Sequence, residues 1–414
     1  MAEATAAAPA SRELSRARLG VTLLFVTNGL IWSNLAPRYP EIRRGLGLSY
    51  AQFGTAVMFG AVGAMVVGLS AAAVIRRFRS SRVAVVAMVV MAVFALLASL
   101  APNGILFAAA LFGVGAIDSI ADVAQNSHGL RVQRELKRSI INAFHAMWSI
   151  GAVLGGLMGA AAAGLHVPVP VHFAVVAVMV AIINGVGYRM LLPGDDPVPE
   201  AAAASGGGGG LRAVAVRVWL ILGALALVAI AGGWVEDAGG TWSASYLKDE
   251  LGAGPTIAAL GFVALMTMQT IGRLLGDRMV DRFGQRTVAR AGGLLVIAGM
   301  GPALLWPSIP LTVVGFGLAG LGVATTIPAA MHEADELPGF RVGTGLTILS
   351  WTLRLGFLLS PVLVGLIADA YSLRTGLTLM IVAGVVIAVF AQALSQRPRG
   401  KALEVDAAEP HGAL

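Results

Sequence analysis

Five ionisable residues of this chain stand in stretches that are otherwise apolar: Asp118, Asp122, Glu236, Asp237 and Arg354. Asp118 and Asp122 are four apart, so on a helix both project from one face. Such carboxylates can take up a proton on one side of a barrier and release it on the other. A structural reading stands beside this one, with Asp122 pairing to Arg131 or capping local backbone. Glu236 and Asp237 are adjacent and point about 100° apart on a helix, so only one of them faces an interior. Either it works there, or the pair marks a helix end already in water. Gly232, Gly233, Gly239 and Gly240 flank them and predict a helix that bends or unwinds. Arg354 requires an anion, either Glu236 or Asp237 or a bound solute. His145 can relay a proton, bond a solute, or simply pack. Asn28, Asn34, Trp32, Trp148 and Trp234 offer amides and ring faces to a small molecule, with ordinary packing as the other reading for the tryptophans. Trp242 fits an interfacial aromatic belt.

These groups do not compose an enzyme. The chain has no cysteine, which excludes thiol catalysis, a disulfide framework and Cys-based metal sites. No nucleophile arrangement, metal centre or cofactor motif is expected. The glycine run from Gly206 to Gly210 lacks a following Lys-Ser/Thr, so it is not a phosphate-binding loop for ATP. A formal charge of +7, scattered along the chain, does not suggest nucleic-acid binding. Loops facing a negatively charged cytoplasmic leaflet account for it better.

The elements that must position these residues follow from composition. Of 414 residues 57% are hydrophobic and only 12% charged, about half the charge of a soluble domain. The mean hydropathy is +0.81. Long apolar stretches without dyad alternation predict an all-α membrane protein with twelve transmembrane helices. They fall near residues 17–38, 50–75, 83–100, 103–126, 140–164 and 170–192, then 212–245, 255–277, 287–306, 309–331, 343–369 and 374–395. The chain divides into a tail over 1–16, a six-helix half over 17–192, a linker over 193–211, a second half over 212–395 and a tail over 396–414. The linker holds Asp195, Asp196, Glu200 and the glycine run, and reads as flexible.

Basic residues set the orientation. With both termini cytoplasmic, the outer loops hold only Arg38, Arg43, Arg44, Lys248 and Arg374 of 29 basic residues. The arginine clusters at 76–82, 131–138 and 278–290 all fall in even-to-odd connections, as that topology requires.

The halves read as repeats. Arg77-Phe78-Arg79 and Arg282-Phe283-Gly284 are 205 apart, and the same offset carries Gly151 onto Gly356 and Ala160 onto Gly365. It also places Glu236 and Asp237 opposite Ile31 and Trp32. The segment from Gly276 to Arg286 resembles the cytoplasmic signature loop of the major facilitator superfamily. Within it Gly284 allows a tight turn, while Asp277, Asp281, Arg282 and Arg286 can form a charge network that locks one conformational state. Arg76 stands at the position offset from Asp281, so any lock in the first half is altered or absent. Asp122-Val123-Ala124-Gln125-Asn126 and the stretch from Asn142 to Gly151 resemble the fucose-permease-related branch of that superfamily, as do Trp234 to Asp237 and Trp242. In that branch an acidic residue four before an Asn is tied to proton coupling. Asp122 matches with Asn126 as anchor, and Asp118 with the preceding glycine. The branch's acidic residue on span one has no counterpart here, where Asn28 and Asn34 stand instead.

The resemblance implies two pseudo-repeat halves in the major facilitator fold. It implies a monomeric, multi-pass inner-membrane transporter working by alternating access, with protons and a sugar-like or other small polar solute as partners in the lipid bilayer. Proton-driven export of drugs or apolar metabolites is the alternative, and a non-transporting sensor the third reading.

Overall fold

The computed structural model describes residues 11–194, 214–340 and 343–396. The glycine run of the linker and its three acidic residues lie outside the described residues. Among the described residues, twelve helices are long and apolar enough to cross a membrane: Ser11–Gly45, Tyr50–Gly68, Ser80–Leu100, Gly104–Leu136, Ile141–Gly164 and Val169–Tyr188, then Val216–Glu250, Pro255–Phe283, Gln285–Leu305, Ile309–Asp335, Thr344–Ala370 and Leu373–Ala393. They are spans one to twelve. Apolar residues fill them, and Pro, Gly and Asn punctuate them. Asn103 caps span four by accepting from the Leu106 amide at 2.9 Å. Pro255 opens span eight in the first turn, where its missing N–H costs nothing.

Some bounds differ from the expected ones. Span two ends at Gly68, and a separate short helix, Ala71–Phe78, carries Arg76 and Arg77. The charge of those arginines suits a helix with one polar edge better than the end of an apolar span. Span four continues to Leu136, because nothing between Asn126 and Leu136 breaks a helix even though its charge leaves the apolar run. Span seven, expected to bend or unwind at its glycines, is one continuous α-helix from Val216 to Ser245. Gly232, Gly233 and Gly239 instead admit Thr326, Leu353 and Leu265 side chains from neighbouring helices. The helix changes its winding only beyond Ser245, in a π-turn over Tyr246–Glu250.

Close packing repeats at the offset of 205. Gly115 of span four lies against the carbonyl of Gly60, and Gly320 of span ten lies against the carbonyl of Leu265. Gly151 of span five lies against the Val26 backbone, whereas Gly356 of span eleven meets the Ile230 side chain, one residue short of the position equivalent to Val26. A Cβ at Gly115, Gly151 or Gly320 meets backbone that has nowhere to go. The turn after Ala71–Phe78 repeats as well. Arg79 has φ 73° and ψ 143°, and Gly284, at the same offset, has φ 80° and ψ 154°. Glycine takes this conformation freely, whereas an arginine there is strained.

The described helices form two compact units. One holds the chain up to Leu35, Phe59–Met158 and the stretch from His166. The other holds Ala36–Met58, Gly159–Leu165 and the C-terminal helices. The ends of spans one, two and five at their odd-to-even connections therefore belong to the second unit.

Candidate functional site

The first unit gathers four of the expected residues into one polar cluster. Asn28, 3% exposed on span one, donates from Nδ2 to Asp118 Oδ1 of span four at 2.8 Å. Its Oδ1 accepts from Trp148 Nε1 of span five at 2.6 Å. Trp32 stands beside the same carboxylate. The sulfurs of Met88 and Met91, at 3.8 and 4.0 Å from Asn28 Nδ2, complete the surroundings from span three. One amide thus fixes both a carboxylate and an indole, with soft apolar groups behind them. The arrangement can hold or release a proton at Asp118 while Asn28 and Trp148 keep its geometry.

Other expected residues of this unit stand apart from the cluster. Asp122 is exposed and bonded within its own helix, by Asn126 Nδ2 at 2.9 Å and Gln125 Nε2 at 3.3 Å. Its suggested partner Arg131 binds the Pro193 and Gly194 carbonyls instead, at 2.6 and 3.3 Å. Asn34 is fully buried and pairs with His172 at 2.9 Å, which fits a packing role. His145 is exposed and meets the Phe25 ring edge-on at 5.3 Å.

The second unit carries the other acidic pair. Glu236 Oε2 accepts from Gln269 Nε2 at 2.8 Å and pairs with Arg273 at 3.5 Å, both on span eight. This answers the search for an anionic partner of Arg354 differently from the expected pairing. Arg354 is exposed, lies 5.9 Å from the Trp351 ring, and forms no ion pair among the described residues. Gln269 and Arg273 are spaced i, i+4 and so face Glu236 together. Arg273, an arginine inside a span, escaped the sequence reading because it lay close to the arginine-rich end of span eight. Asp237 Oδ2 is buried without a hydrogen bond. Trp234 donates from Nε1 to the Gly356 carbonyl at 2.8 Å, joining spans seven and eleven. Trp242 corrects its assignment to an interfacial belt: it is fully buried, with Tyr50 and Phe53 at ring distances of 5.9 and 5.8 Å.

In the signature loop Arg286 binds the Leu394 carbonyl at 3.0 Å and Gln396 Oε1 at 2.8 Å. Arg282 stands over Phe283 at 5.3 Å. Asp277 and Asp281 make no ion pair among the described residues.

Two acidic residues that sequence reading passed over organise the odd-to-even connections of this unit. Asp249, in the π-turn that ends span seven, pairs with Arg43 at 2.9 Å, with Arg44, and with the Tyr50 hydroxyl at 3.1 Å. Asp369, ending span eleven, accepts from Ser49 Oγ at 2.6 Å and from the Tyr50 and Ala51 amides at 2.8 and 2.9 Å. It caps the first turn of span two from another helix. Arg44 and Asp249 are 205 apart, so they occupy corresponding positions of the two repeats. Arg38 and Arg374, the remaining arginines expected in outer loops, are also engaged. Arg38 pairs with Glu41 at 2.8 Å, and Arg374 binds carbonyls of Leu304 and Leu305.

Comparison with known proteins gives the following likenesses. A family model described as Major Facilitator Superfamily matches residues 225–413. The uncharacterized transporter y4wD of Sinorhizobium fredii is 30% identical over 380 residues, covering 91% of this chain and 98% of that protein. Among solved structures, a bacterial homologue of the human lysosomal transporter Spinster superposes with a TM-score of 0.74 at 14% identity, covering 93% of this chain and 98% of that one. A D-xylose–proton symporter gives 0.68 at 13% identity, with 92% and 98% covered. The Escherichia coli fucose:proton symporter gives 0.60 at 16%, again with 92% and 98% covered. At these identities the structural likenesses speak to fold alone.

Proposed function

Because the chain belongs to the major facilitator superfamily, and is thus a transporter and a multi-pass inner-membrane protein, we propose that it couples the movement of a small polar, sugar-like solute to protons by alternating access. In this reading both termini are cytoplasmic, the protein works as a monomer, and it carries out no catalysis. The observation that carries it is the Asn28–Asp118–Trp148 cluster: a carboxylate within an apolar span, bonded at 2.8 Å by an amide that an indole orients at 2.6 Å. A charge at that depth is expensive and marks a working group. Trp32 and Trp148 offer ring faces to a sugar-like solute, and Asp118 is the proton carrier. Asp122 takes a lesser place because its bonds are to its own helix. Glu236, held by Gln269 and Arg273, and the neighbouring Asp237 form the second candidate centre. The names of two fold neighbours, a D-xylose–proton and a fucose:proton symporter, support the coupling and the solute class.

The test uses purified protein in proteoliposomes with an imposed pH gradient, after a thermal-shift screen of sugars and other polar metabolites has identified a binding solute. A symporter accumulates the solute with the proton gradient, and an exporter moves it against proton flow. Asp118→Asn should abolish gradient-driven accumulation and preserve counterflow. Uphill transport that survives unchanged in this variant removes Asp118 from the coupling role.

A further inference from the structure

On the face where the even-to-odd connections emerge, the first unit contains a cavity of about 700 Å³. Arg12 and Arg16 of span one, Arg79 and Arg82 around the start of span three, and Arg189 after span six all line it. Glu13 is the single acidic residue among its described lining residues. Arg16 spends one donor on the Arg189 carbonyl at 3.5 Å. Arg12, Arg82 and Arg189 form no ion pair among the described residues. The wall from Leu191 to Gly194 is fixed from outside, since His128 Nε2 accepts from the Leu192 amide at 3.2 Å and Arg131 holds the next two carbonyls. Tyr188, 41% exposed, lines the cavity with the kind of ring that settles at headgroup depth.

Orientation by positive charge explains arginines on this face but neither their convergence nor the backbone beneath one of them. Arg79 occupies the conformation that Gly284 fills in the second half, at φ 73° against 80°. Such a conformation is costly for any residue but glycine. Arg82 lies in the first turn of Ser80–Leu100, so it opposes the positive end of that helix dipole. An anion in the cavity relieves this crowding of like charge and accepts charge-assisted bonds from several guanidinium groups.

We propose that this cavity binds a phosphate-bearing anion. The same chemistry is presented by an anionic phospholipid headgroup entering at interfacial depth and by a free phosphorylated solute or inorganic phosphate entering from water.

The experiment is thermal denaturation of the purified full-length protein in neutral detergent, with dioleoylphosphatidylglycerol, dioleoylphosphatidylcholine or inorganic phosphate added in turn. Phosphatidylglycerol should raise the melting temperature above the phosphatidylcholine value. Inorganic phosphate that does the same assigns the site to a soluble anion, and lipid-only stabilisation assigns it to a headgroup; both outcomes support the proposal. Removing an arginine weakens binding about fivefold each, so Arg16→Ala with Arg82→Ala should nearly abolish the increment. Arg134→Ala with Arg138→Ala removes equal charge from the same unit outside the cavity and should keep it. Arg79→Gly guards against a misfolded double variant. Relief of strain should raise its melting temperature without additive, while its lipid or phosphate increment shrinks. Equal melting with all three additives overturns the proposal, as does an equal loss of the increment in the Arg134/Arg138 control. The outcome is independent of which solute the protein carries.

Discussion

Asn28 joins Asp118 to Trp148. Its two amide ends serve Asp118 and Trp148, so Asn28→Leu leaves both groups without that partner. Each orphaned polar group costs about 1–3 kcal/mol. The expected result is a lower melting temperature together with lost gradient-driven accumulation, read in the same proteoliposomes. Trp148→Phe removes one donor only and should cost about 1 kcal/mol, with weakened rather than abolished uptake. A loss of stability in Asn28→Leu with coupling intact shows that the cluster serves packing alone. At this scale the sequence marked Asp118, Asn28 and Trp148 as individuals, because a polar group in an apolar run is conspicuous. It did not join them, since a span's rotation about its axis is set by neighbouring helices. The same gap explains Arg354 and Glu236: opposite charges suggested a pair, but Gln269 and Arg273 occupy the face that Glu236 meets.

Helices pack here through glycine, and the contacts are paired between the halves. Gly115→Leu and Gly320→Leu place a side chain against backbone, where overpacking costs about 1–3 kcal/mol or more. Both should lower the melting temperature by similar amounts, since each glycine meets the equivalent carbonyl. Gly185 has open space around its Cα, so Gly185→Ala should be neutral or stabilising by under about 1 kcal/mol. Fluorescence-detected melting of the three variants checks the contrast, and equal losses at all three would count against glycine packing as the cause. The twelve spans were legible because apolar length and charged breaks are one-dimensional signals. Their exact ends were less so. The end of span two depended on a two-residue break, and the extension of span four on a polar stretch that remains helical.

At the scale of the molecule, Asp249 and Asp369 tie the odd-to-even ends of first-half spans to second-half helices within one compact unit. In the proposed cycle these contacts must break when that side opens. Asp369→Asn removes a charged cap worth about 1 kcal/mol, and Asp249→Asn leaves Arg43 and Arg44 without their carboxylate. The chain has no native cysteine, so Phe53→Cys supplies a single label at a position that is fully buried beside Trp242. Labelling of that cysteine by a membrane-impermeant maleimide should quicken severalfold in either Asp→Asn background, by analogy with the weight of one lost cap. An unchanged rate removes these acids from any gating role. Neither was readable as such, because an acid at a helix end looks like ordinary surface until its partner from distant sequence is known.

The bond between Arg44 and Asp249 has a consequence for how such a chain could have been assembled. The two positions correspond under the duplication, and positions that meet across a two-fold axis meet themselves in a dimer of identical halves. A pair of first halves would set arginine against arginine, and a pair of second halves aspartate against aspartate. The ion pair therefore discriminates: each half repels its own copy at this position and accepts only the other. Once the duplicated segments differed here, the two had become obligate, non-interchangeable mates, and a single chain joining them guarantees the match.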